Sequence, residues 1–212
     1  MTHSMPARTF RVAIVGASSL RGKDLGALIA ERSFPASDLR LIDDDVAAGT
    51  LTEAGGEPAF IQALAEDSFA RVDLAFFAGR PEFTIRHWEQ AARAGATLVD
   101  LSGAFADLRE SQPWIPALDG LLPPPKEISG SKLFFSPPAA TLVACTLAAA
   151  LGPLNPSRLS IVFLQPVSER GAVGIEELKS QTVNLLSFQP ISQTVYDAQV
   201  AFNLLGRFGA EN

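Results

Sequence analysis

The sequence predicts an α/β fold on two observations: short apolar runs alternate with helical patterns along most of the chain, and the first run stops at a small-residue turn from which a helical pattern starts. Val12–Val15 has the uninterrupted β-branched character of a buried parallel strand, and Leu20, Leu25, Leu28 and Ile29 then fall near helical spacing. Between them lies Gly16-Ala17-Ser18-Ser19-Leu20-Arg21-Gly22. Gly16 allows a tight strand-to-helix turn, Gly22 lets the helix lie close on the sheet, and the free backbone N–H groups between them aim at an anion. That is the geometry of a dinucleotide site, which makes Gly16, Ser18, Ser19, Leu20, Arg21 and Gly22 the first candidate cofactor-binding residues. Ser19 replaces a middle glycine, and its Cβ crowds the line along which a pyrophosphate approaches. The alternative is a Rossmann-like core without a ligand.

Length and composition bound the rest. A chain of 212 residues, 47% of them apolar, can bury a sizeable core in one large or two small domains. With 23 acidic against 17 basic residues there is no domain-wide positive field for a nucleic acid or an anionic membrane. MTHSMPARTF lacks the apolar core of a signal peptide, and Thr141–Leu151 is too short to cross a bilayer, so a cytoplasmic protein is expected. Cys145 is the single cysteine, which excludes an internal disulfide. With only His3 and His87 beside it, no histidine–cysteine cluster can form a transition-metal site.

In chain order, the first helix runs to about Arg32 and Phe34-Pro35 ends it before a second strand, Leu39–Ile42. Asp43-Asp44-Asp45 follows. In a dinucleotide fold this tip meets the adenosine ribose, where a carboxylate accepts from both hydroxyls and repels a 2′-phosphate, so the tip favours NAD over NADP if a cofactor binds, and Asp43 joins the candidate cofactor-binding residues. The alternative is a solvated acidic turn leading to Gly49. Leu51–Ala65, with Gly55-Gly56, reads as a hairpin or irregular edge. Val72–Phe77 is the next buried strand, closed by Ala78-Gly79-Arg80-Pro81; its carboxyl end faces the ligand crevice, which makes Gly79 a candidate contact and leaves Arg80 as a phosphate contact or a surface residue. Glu82–Ala94 has helical spacing, Thr97–Asp100 is a strand, the proline-rich Leu122–Lys126 is a stiff connector, and Lys132–Phe135 is one more strand before Ser136-Pro137-Pro138-Ala139-Ala140-Thr141 and a helix to Leu151.

The succession VAIVGASSLRG, DLAFFAG, AGATLVDLSGAF, FFSPPAAT with its helix, and SIVFLQPVSERGAVGIEELKSQT ending in AFN resembles aspartate-semialdehyde dehydrogenase along nearly the whole chain. The resemblance implies a glycine turn that binds NADP and a cysteine, in an Asn-Pro-Asn-Cys-x-Thr motif at a helix start, that attacks the aldehyde. Each motif is eroded here. The cysteine falls on Ala139 and its flanking asparagines on Ser136 and Pro138, so the thiolate that forms the thiohemiacetal is missing. Cys145, six residues on, lies about 240° around a helix and roughly 9 Å along it, too far to take that place. The family's glutamine matches Gln165, which alone can only orient a substrate.

Other losses agree. The arginine after the family's Ser-Ser-Ala-Phe pattern falls on Ala106, its Val-Pro-Glu-Val-Asn becomes Ile115–Asp119, and the Arg-Ser pair that reads the NADP 2′-phosphate falls on Asp44 and Ala47. The family's substrate arginine and general-base histidine fall beyond Asn212. The sequence looks most like a branch of paralogues that lack the cysteine.

The expectation is therefore a Rossmann-like NAD(P)-binding domain over 1–138, followed by a truncated α+β dimerisation domain over 139–212. In the second, Leu159–Gln165 reads as a strand, Val173–Leu186 as a helix with Ile175, Leu178, Thr182 and Leu185 on one face, and Val195–Leu205 as a last ordered segment. An open sheet edge and uncovered apolar face there call for a homodimer or a hetero-oligomer. Two functions fit. One is a non-catalytic paralogue that keeps nucleotide or partner binding, with NAD ahead of NADP and no metal. The other is an oxidoreductase of the aspartate-semialdehyde dehydrogenase type, NAD(P)-dependent and belonging to amino-acid biosynthesis, that works only with parts from another chain.

Overall fold

Phe10–Val15 (β1) finds a parallel neighbour on each side in the computed structural model, which describes residues 8–54, 57–121 and 130–206. Ala36–Asp43 (β2) pairs with one edge of β1, and Leu74–Phe77 with the other, so that Val15 lies level with both Ile42 and Phe77. Leu51–Ala54 (β3) and Glu57–Phe60 (β4) form a separate antiparallel hairpin, as the edge reading of this stretch expects. With Gln62–Ala63 as β5, Leu74–Phe77 as β6, Thr97–Asp100 as β7, Gln112–Pro113 as β8 and Leu133–Phe135 as β9, the main sheet runs β5-β2-β1-β6-β7-β9-β8, parallel throughout. The chain leaves β1 toward β2 and later returns on the opposite side as β6. The strand order therefore reverses at β1, the position where open α/β sheets form a crevice at their carboxyl ends.

Leu20–Glu31 (α1) and Pro81–Arg93 (α2) carry the chain between strands. One cluster of apolar side chains holds Val15, Phe69, Phe77, Leu98 and Phe105; the other holds Val12, Ile14, Ile29, Leu41 and Ile61. Alternate residues of β1 feed the two clusters, as a strand buried on both faces must. In α1 the buried line is Gly22, Gly26 and Ile29, and Leu28 is exposed, because the helix approaches the sheet through its glycines. At the amino ends of the strands, the Arg11 N–H and guanidinium both donate to Asp73. These bonds, with the arginine's charge beside them, hold the Asp73 carboxyl below its ordinary range.

The α/β expectation with a parallel, Rossmann-like sheet holds. The chain divides into two compact units between Ile161 and Val162. Ala139–Leu151 (α3) belongs to the first and Gly171–Leu186 (α4) to the second. Leu159–Gln165, expected as a strand, is not one: no residue of it joins a ladder, and Val162 is 85% exposed. A strand persists only where a neighbour takes its N–H and C=O groups, and none among the described residues does. The connector expected at Leu122–Lys126 lies outside the described residues. Along α4 the half-buried Ile175, Leu178, Thr182 and Leu185 are not the innermost line; Gly174, Glu177 and Gln181 are.

Candidate functional site

Gly16 turns the chain out of β1 with φ +82°, in the left-handed region that glycine enters without a Cβ penalty. A Cβ there would collide with the backbone of Gly79, at the end of β6, and one on Gly22 would collide with Gly16 O and stand 2.8 Å from Ala17 Cα. The two loops that flank the switch point thus meet through hydrogen alone. Ser19 caps α1: its hydroxyl accepts from Gly22 N–H and donates to Ala78 O, both at 2.9 Å. The serine that stands in for a middle glycine therefore ties the turn to β6. Gly16 and Ala17 N–H donate to Ile42 O, and Ser19 N–H to Gly16 O. Among the described residues no acceptor takes the N–H groups of Leu20 and Arg21, which leaves two donors at the positive end of α1 for an anion.

Asp43, 7% exposed, closes the same turn from β2, accepting from Ser18 N–H at 2.8 Å and from Asp44 N–H at 2.9 Å. The sequence places Gly16, Ser18, Ser19, Leu20, Arg21, Gly22, Asp43 and Gly79 far apart along 64 positions, and the fold gathers them at one end of the sheet. What sequence reasoning missed is the pairing of Arg80 with Asp44, Nη2 to Oδ2 at 3.0 Å. Arg80, read there as a lone contact or surface residue, is held by the acidic tip. The signal was the placement of each just past a strand flanking β1.

Asp100 is fully buried at the end of β7 and accepts from Ser102 N–H and Oγ and from Phe105 N–H, which folds the loop that follows. Ser136 N–H donates to Asp100 O, and α3 then starts at Ala139 behind Pro138, with no side-chain cap. Ala139 is exposed and Cys145 half-buried six residues along the helix. A methyl group at a helix start can do no nucleophilic chemistry. Gln165 belongs to the other unit, where it lines a cleft of about 540 Å³ with Phe163, Val167, Tyr196, Val200 and Leu204.

In that unit Glu177, 5% exposed, accepts from Thr194 N–H and Oγ, Val195 N–H, Tyr196 N–H and Gln181 Nε2. Burial alone would raise its pKa; the Thr194 hydroxyl and the three N–H groups outweigh this and bring it to about 2. Gln181 Oε1 takes Val200 N–H, and its Nε2 donates to Ser192 O. The stripe Gly174, Glu177, Gln181 at i, i+3, i+7 was the readable sign of this buried polar face. Among the described residues, no group of three or more histidine, cysteine or acidic side chains could hold a metal, and no helix is long and apolar enough to cross a membrane.

A family model described as semialdehyde dehydrogenase, NAD binding domain, matches residues 11–141. A USG-1 protein homolog of Azotobacter vinelandii is 35% identical over 202 residues, covering 93% of this chain and 58% of that protein. An aspartate-semialdehyde dehydrogenase of Synechocystis sp. is 30% identical over 195 residues, with 92% of this chain and 56% of the relative covered. Among solved structures, aspartate semialdehyde dehydrogenase II of Vibrio cholerae, complexed with ASA, superposes with a TM-score of 0.76 at 25% identity over 93% of this chain and 58% of that one. The chain thus spans less than two thirds of the length of these proteins.

Proposed function

Because the chain belongs to the semialdehyde dehydrogenase NAD-binding domain family, we propose that its first unit binds a nicotinamide dinucleotide, NAD ahead of NADP, and that the chain has lost the thiol chemistry that its resemblance to aspartate-semialdehyde dehydrogenase implies. The nucleotide part rests on fit. The Gly16–Gly79 contact closes the turn against the end of β6 with no room for a Cβ, and Leu20 and Arg21 N–H stand free beside it for a pyrophosphate. Asp43, Asp44 and Asp45 at the ribose end favour a diol over a 2′-phosphate. When bound, the dinucleotide would supply hydride chemistry; these residues hold and orient it.

The loss of catalysis rests on one observation, the methyl group of Ala139 at the first position of α3. A nucleophile, a proton carrier and a cation for the substrate carboxylate act as a unit, so Ala139→Cys alone is expected to restore no turnover. The experiment is calorimetric titration of the full chain with NAD and NADP, beside an assay with aspartate semialdehyde, phosphate and either cofactor. Binding of NAD without turnover is the expected result. Tighter binding of NADP, or turnover that tracks protein through repurification, overturns it.

Self-association, or docking of another protein, belongs to the same reading. Val162, Leu164, Phe188, Phe202 and Leu204 are exposed apolar residues of the second unit, and surfaces of this kind are stabilised when another chain covers them. Light scattering on the isolated chain is expected to give a dimer or larger species, and a clean monomer at micromolar concentration counts against it. A second reading, an oxidoreductase completed by another chain, draws on the aspartate-semialdehyde dehydrogenases among the relatives and on Gln165 at a cleft. It requires that chain to deliver a nucleophile beside Ala139.

A further inference from the structure

Asp44 follows the last residue of β2, Arg80 follows Gly79 beyond β6, and these two strands lie on either side of β1. Their ion pair therefore passes over the carboxyl end of β1, at the mouth of the glycine turn. We propose that this bridge sets which dinucleotide the turn accepts: it stays closed over the ribose end when NAD binds, and a 2′-phosphate opens it by replacing Asp44 as the partner of Arg80. The inference rests on the nucleotide reading above and deepens it.

Three observations carry it. Asp43 is buried and both its oxygens already take backbone N–H groups, so the charges able to respond to a ligand at this tip are the outer ones, Asp44, Asp45 and Arg80. Arg80 is mostly exposed and spends only Nη2 on the bridge, which leaves donors of a planar fork suited to a phosphate. Exposed ion pairs contribute little to stability, so exchange of one carboxylate for a doubly charged phosphate is easy. Asp44 Oδ1 is meanwhile held by Ala47 N–H, so the carboxylate keeps its place when Arg80 leaves and continues to repel the phosphate. Arg80 admits NADP and Asp44 limits it.

The test is titration of the full chain with NAD and with NADP for the parent, Arg80→Gln, Asp44→Asn and the double variant. Both side chains are at the surface, and asparagine keeps the Oδ1 bond to Ala47, so folding is retained and is checked by circular dichroism. Arg80→Gln should lower the NADP-to-NAD affinity ratio about tenfold and Asp44→Asn should raise it about tenfold. The double variant should gain clearly less over Arg80→Gln than Asp44→Asn gains over the parent, since the freed arginine carries most of the gain and the lost repulsion only the rest. An equal gain from Asp44→Asn with and without Arg80 would mean simple removal of negative charge and overturns the bridge. A parent chain that binds NAD with a ratio unmoved by any variant removes this inference alone; one that binds neither dinucleotide removes the nucleotide reading as well.

Discussion

The two units stabilise their loops with the same chemical device and in opposite settings. In the first, Asp43 and Asp100 accept backbone N–H groups at the ends of strands that a parallel ladder and two apolar clusters already fix. In the second, Glu177 and Gln181 on one helix gather the loop 192–201, and no ladder among the described residues lies beneath. The difference teaches where each is vulnerable. The first unit fails when its backbone cannot close, the second when one side chain changes.

The largest effect should come from Gly16→Ala, which places a Cβ against Gly79 at a positive φ. Strain and overlap together should cost about 3–5 kcal/mol in chemical denaturation, with Gly79→Ala, whose Cβ would stand 3.0 Å from Gly16 Cα, clearly milder. Equal costs would show that the contact is looser than the geometry says. Next comes Glu177→Gln, which points an N–H₂ group at donors and should remove about 2–3 kcal/mol from the second unit, read as lost hydrogen-exchange protection at Thr194–Tyr196. Protection in the first unit should not follow.

Acid should act along the same line. Glu177 is held at about 2 in the folded chain against roughly 4.3 unfolded, a depressed carboxyl, so its stabilisation is complete above about pH 4.5 and drains away as pH falls toward 2. Exchange followed from pH 6 to 2.5 should open the loop 192–201 first, and Glu177→Gln should flatten that dependence. The smallest effect is reserved for the helix surface. Arg93→Ala breaks an exposed i,i+4 pair with Glu89 and should move stability by no more than about 0.5 kcal/mol.

How much of this the sequence discloses depends on how local its cause is. β1, the glycine turn, α1 and β7 are legible because apolar runs and small residues act within a few positions; Thr97–Asp100 is a strand with the limits its pattern suggests. Leu159–Gln165 reads as a strand and is not one, because a pattern records a side chain's affinity for a sheet and says nothing of whether a neighbour is there to pair. The buried face of α4 runs against the rule of apolar residues inside: Glu177 is internal because the loop brings four donors to it. The Arg80–Asp44 bridge joins residues 36 apart, and only the strand order brings them together.

The contact of Gly16 with Gly79 has a consequence in time. Two loops that meet atom against atom cannot open separately, and their backbone is already confined before any ligand arrives. Association at this turn should then proceed without a slow rearrangement step, with a single-exponential rate that rises linearly with nucleotide concentration, and with little ordering entropy lost on capture. Weak affinity at such a turn would show itself as fast release.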